Sequence, residues 1–141
     1  AKFIVKATEI SLAEIQLAQL AQKLGSSQCT RDLGRMMETE HTQSLAEITE
    51  LAKTKQVTVP VTQTFDAQDA YNKLNAKSST EFDKMYADMM VDNHKEAIAV
   101  FEKACNEATD VDVRDWATKM LPTLKMHLQH AQACQSENNK K

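Results

Sequence analysis

The chain has 141 residues, a net charge of −3, two glycines, two prolines and 5% aromatic residues. That length buries a substantial core without help from a disulfide or a metal. Scarce turn formers argue against a β-rich fold, and plentiful Ala, Leu, Met, Glu, Lys and Gln favour an all-α one. Acidic and basic residues are interspersed, leaving no basic face for nucleic acid, and no apolar run approaches the roughly 20 residues that cross a bilayer.

The first helix is predicted from near residue 2 to Leu24, with Gly25 and Ser26-Ser27 supplying a cap and a tight turn. Its apolar stripe runs Phe3, Ala7, Ile10, Glu14, Leu17, Ala21, Leu24, so a lone carboxylate points inward. No signal peptide is visible at the start, and Ala1 to Val5 already carry the stripe, which is expected of a processed or trimmed N-terminus, in the first case one that has lost an export signal. The second helix is expected from Ser27–Thr30 to about Lys55, with the stripe Gly34, Met37, His41, Leu45, Ile48, Ala52. Residues Val57 to Phe65, with β-branched side chains and Pro60, read as an extended connector, and Asp66 to Asn75 as one short helix.

Ser78-Ser79-Thr80 precedes a third long helix that should end near Ala108, with the stripe Asp83, Tyr86, Met90, His94, Ala97, Phe101, Cys105. Asp110 or Asp112 opens the fourth, which should run to about Gln135 with the stripe Val113, Ala117, Met120, Leu124, His127, Ala131, Cys134. Pro122 should bend it or cost it a hydrogen bond one turn before His127. The expected layout is a single bundle domain over residues 1–135 and a disordered polar tail over 136–141.

Four long helices with one long connector between the second and third leave two topologies open. In a plain up-down-up-down bundle the connector stays at one end, and in a ferritin-like bundle it crosses the whole length. Of the three cysteines, Cys29, Cys105 and Cys134, at most two can pair within the chain. A crossover brings Cys29 and Cys134 to one end, the plain topology brings Cys29 toward Cys105, and buried reduced thiols are an ordinary alternative.

In either topology Glu14, His41, His94 and His127 lie at similar depth on four helices, the pattern of a metal site in a bundle core. A histidine-rich, carboxylate-poor set suits one zinc, copper, iron or nickel ion rather than calcium or magnesium. Glu38, spaced Glu-x-x-His before His41, and Asp83 are further candidate ligands, and Met37 and Met90, each one turn before a histidine, would favour Cu(I). His130 is assigned to the surface. A second Glu-x-x-His is absent, Leu124 standing three residues before His127, which argues against a carboxylate di-iron centre. No nucleophile, phosphate loop or haem-attachment motif is present, which leans away from an enzyme. The alternative is a metal-free polar core in which Glu14, Asp83 and Tyr86 satisfy the histidines in a structural or interaction protein. A protein partner or homo-oligomer would use an outer apolar face, to which Ile4, Leu12, Ile15, Phe101 and Met126 could contribute.

Glu14, Met37 to His41 with Leu45, Val59-Pro60, Phe82-Asp83-Lys84-Met85-Tyr86 followed by His94, and Leu121-Pro122 leading to His127-Leu128 together resemble the bacterial domain-of-unknown-function family numbered 4142. The likeness spans nearly the whole chain. It implies a ferritin-like four-helix bundle, export with a signal peptide and a periplasmic or outer-membrane location, and it marks Glu14, His41, Asp83, His94 and His127 as the family-type polar positions. It implies no activity.

Overall fold

A computed structural model describes residues 1–140, which fold into five α-helices with no strand among the described residues. They are α1 (Lys2–Leu24), α2 (Gln28–Thr54), α3 (Phe65–Asn75), α4 (Ser79–Glu107) and α5 (Val111–Asn138). α1 with α2, and α4 with α5, make two antiparallel hairpins, and the hairpins pack α1 on α4 and α2 on α5.

Polar contacts at the two ends fix the path of the connector. At one end the Asp83 carboxylate, at the start of α4, accepts the backbone N–H groups of Ser26 and Ser27 at 2.8 and 2.9 Å. At the other end Lys55, just past α2, pairs with Asp110 and Asp112 at 3.0 and 2.8 Å, beside the α4–α5 turn. The chain between α2 and α4 therefore runs the length of the bundle, and α3 lies on α1 and α4 along the way, with Leu74 fully buried.

Local chemistry explains the helix ends. Ser27, Thr64 and Asp110 each accept a backbone N–H from the first turn of α2, α3 and α5, which satisfies donors that the helix leaves orphaned. Gly25 ends α1 at φ −62°, outside the left-handed region, and what it supplies is space: a Cβ there would run into the Ala21 carbonyl oxygen. Gly34 serves the α1–α2 contact likewise, since a Cβ would stand 2.8 Å from the Ala18 carbonyl oxygen. Gln56 takes the left-handed conformation, φ 58°, where glycine is usual after a helix, and Val57 N–H returns to the Ala52 carbonyl at 2.8 Å.

One expectation needs correction. α5 runs three residues past Gln135, and Asn138, placed in a disordered tail by composition, is buried. Its amide donates to Thr30 Oγ1 and to the Asp83 carbonyl, and its carbonyl accepts from the Ser27 hydroxyl. The helix persists because it has tertiary partners there; Lys141 lies outside the described residues. Pro122 costs α5 one hydrogen bond, as expected, without interrupting it, because it faces solvent, where the forgone bond leaves no buried group unpaired. Cys29 and Cys134 form a disulfide with Cα atoms 5.6 Å apart, joining α2 to α5 at the same end as Asp83 and Asn138, and Cys105 is free.

The apolar core is in two parts. The half near the disulfide holds Leu17, Leu33, Met37, Phe82, Tyr86 and Met90, and the other half holds Ile4, Ile48, Ala97, Phe101, Ala117 and Leu124. Between them in sequence along every long helix stands a buried polar residue: Glu14 on α1, His41 on α2, His94 on α4 and His127 on α5.

Candidate metal centre

His41, His94 and His127 are each 3% exposed or less, and each offers a ring nitrogen within 4.8 Å of the other two. Their ring centroids stand 5.3 to 5.5 Å apart, tilted rather than stacked. Such a set of three buried imidazoles is a credible metal-binding triad, and its hydrogen bonds show which nitrogens are free to act.

His94 Nδ1 lies 2.8 Å from the Met90 carbonyl oxygen. A carbonyl only accepts, so Nδ1 carries the proton and Nε2 keeps its lone pair. His127 Nε2 lies 2.8 Å from Glu40 Oε2, whose carboxylate accepts the Nε2 proton, while His127 Nδ1 is buried without a partner. His41 Nε2 faces His94 Nε2 at 3.3 Å. With the His94 proton committed to Nδ1, His41 must donate across that gap, which is long beside the usual 2.9–3.0 Å. It equals the edge, about 3.3 Å, of a tetrahedron whose vertices lie about 2.0–2.1 Å from a central ion. The Met90 carbonyl and Glu40 stand where outer-shell groups orient the rings of metal-ligating histidines.

Burial keeps these imidazoles neutral, as a metal requires. It holds His41 well below the ordinary histidine range, with His94 and His127 adding to the effect, and lowers His94 to about 4, helped by His127. His127 is also lowered by burial, against the opposing pull of Glu40.

The other expected residues are placed differently. Glu14 is buried outside the triad, its Oε1 accepting from the Asn93 amide at 3.1 Å and its Oε2 unpartnered. Burial raises its pKa to about 8, although Asn93 pulls it down. Tyr86 is fully buried with an unpartnered hydroxyl, and burial, with Glu14 nearby, pushes its ionisation well up. Glu38 turns away from the core to accept the Gln22 and Gln19 amides at 2.8 Å each, which lowers its pKa. Asp83 caps the α1–α2 turn. Met37 and Met90 are packed wholly within the apolar half nearer the disulfide. His130 is exposed. Glu40 was missed by pattern reading because it lies off the stripe; the one signal was its place directly before His41.

The pKa shifts set how the metal-free chain responds to pH. The unfolded chain takes up imidazole protons below about pH 6.5 that the folded chain refuses down to about 4 in the case of His94, so stability falls as pH drops through that window. Glu14 has the opposite sign: its contribution is intact below 4.5 and is lost as pH rises through about 8. Two groups, His41 and His94, outweigh one between 4.5 and 6.5, so the urea midpoint of metal-free protein should peak near pH 6.5. Glu14→Gln should flatten the alkaline limb, and an unchanged limb would refute the burial assigned to this carboxyl.

Five helices, two hairpins and a buried imidazole triad define a helical-bundle protein with a candidate metal centre. The chain belongs to the family described as domain of unknown function DUF4142, whose family model matches residues 1–134. No curated protein and no solved structure matches it.

Proposed function

We propose that this protein is a ferritin-like four-helix bundle of the bacterial envelope that binds one transition-metal ion, zinc, copper or iron, through His41, His94 and His127. The observation that carries the reading is the convergence of three buried imidazoles, one of which, His127, has a ring nitrogen without a partner. The full-length connector between two helical hairpins supports the ferritin-like reading. The Cys29–Cys134 disulfide fits an oxidising compartment outside the cytoplasm. Glu14, on the remaining helix, adds a carboxylate beside the residue that precedes His94 rather than a fourth group within the triad.

A metal-free polar core is the competing reading, and the His127–Glu40 and His41–His94 contacts favour it, because each ring already has a partner. Elemental analysis of untagged protein, stripped and reloaded with zinc, copper and iron, separates the two. The metal reading expects close to one ion per chain, lost when all three histidines are replaced. Equal residual metal in the native and replaced chains would leave the histidines as core structure.

A further inference from the structure

A groove of ≈ 220 Å³ between α1, α3 and α4 is lined by a buried carboxyl group with one oxygen that the chain leaves without a partner. Glu9, Asp66 and Glu96 stand on its walls at least partly exposed, and Lys6 is the one cation lining it among the described residues. Its floor includes Glu14 and Asn93, hydrogen-bonded to each other. Glu14 is 2% exposed, and its Oε2 has no hydrogen-bond partner. Ala13, Leu17 and Ala97 make the walls around it apolar, so the negative mouth acts through a low-dielectric surround that focuses its field on a small cation.

The groove and the imidazole triad share one turn of α4. Asn93 and Ala97 line the groove, and His94, between them in sequence, points into the bundle. The Glu14–Asn93 pair thus adjoins the segment that carries a triad ligand.

We propose that this groove is the route by which a divalent transition-metal ion reaches the three histidines, with Glu14 as a transient oxygen ligand between the exposed acids and the imidazoles. The proposal rests on the metal reading above. An ion leaving water for the core must exchange hydration for protein ligands, and the buried Glu14 carboxyl, whose Oε2 has no partner, supplies the first, releasing its proton through the groove as the ion binds. Imidazole nitrogens bind zinc, copper or cobalt better than a lone carboxylate does, so transfer from Glu14 to the triad runs downhill. A second groove, beside Glu40 between α2 and α5, is smaller, ≈ 110 Å³, and its Glu47 is already paired with Lys119 at 3.4 Å.

Stopped-flow loading of the full chain with Co²⁺, followed by the visible absorption of the histidine-bound ion, tests the route. Glu14→Gln should slow loading about tenfold and leave the final spectrum and stoichiometry unchanged. A Glu9→Gln, Asp66→Asn, Glu96→Gln variant, altered only at the groove's walls, should also load more slowly and with weaker salt dependence. Lys119→Gln should load at the native rate. Native-rate loading of both the Glu14→Gln and the triple variant would overturn the route and leave the centre intact. An altered final spectrum in Glu14→Gln would make Glu14 a resident ligand and overturn its transient role. No cobalt spectrum in the native chain would remove the centre and the route together.

Discussion

Adding one of zinc, copper or iron in excess to the metal-free chain should raise its melting temperature by roughly 10 °C or more. A ligand that binds only the folded state stabilises it by about 4 kcal/mol at a thousand times its dissociation constant, and for a chain of this size each kcal/mol moves the midpoint by several degrees. The triad is assembled only by folding, because its members come from α2, α4 and α5, so the unfolded chain offers no comparable site. Replacing His41, His94 and His127 together by Leu should abolish the shift. That variant should still fold, because a partly satisfied buried polar cluster gives way to apolar side chains of similar size. If the native chain melts at the same temperature with and without each metal, the imidazoles are structural. A shift that persists in the Leu variant would place the ion elsewhere.

Removal of the Cys29–Cys134 disulfide is the second large effect. The bridge closes a loop across a sequence separation of 105 residues. Cross-linking so long a loop constrains the unfolded chain by as much as about 4–5 kcal/mol in the chain-entropy account. Cys29→Ser with Cys134→Ser should lower the melting temperature by about 10–20 °C. Metal affinity should hardly change, because the bridge stands at one end of the bundle and the triad in its middle. Thermal melts of the native and double-serine chains, each with and without zinc, read both quantities. Equal melting temperatures would show that the Ser27–Asp83–Asn138 contacts hold that end unaided, and loss of zinc binding would tie the triad to the bridge.

Helical periodicity was enough to place Glu14, His41, His94 and His127 inside the bundle, since a side chain on the apolar stripe is turned inward whatever helix lies opposite. It also put Asp83 on a stripe, yet eleven residues separate it from His94. That is about 16 Å along a helix, which takes Asp83 to the end of the bundle and makes it a cap. Glu38 and Glu40 show where the pattern stops. Both flank the stripe of α2, and only the neighbours decide that Glu38 meets α1 while Glu40 meets His127. The cysteine pairing likewise depended on the path of the connector, and the order of Asn138 depended on partners from three other segments. These are tertiary facts, and composition is silent on them.

The buried polar layer also governs alignment. Two apolar half-cores made of Leu, Met, Phe, Ile and Ala would tolerate a helix sliding by one turn, about 5.4 Å, because one apolar contact substitutes for another. The disulfide already ties α2 to α5, and a slip of α4 against that pair would carry His94 out of reach of its partners and strand it against hydrocarbon, as a slip of α1 would strand Glu14. The layer costs some packing, and in return it holds α1 and α4 to the vertical setting that the bridge gives α2 and α5.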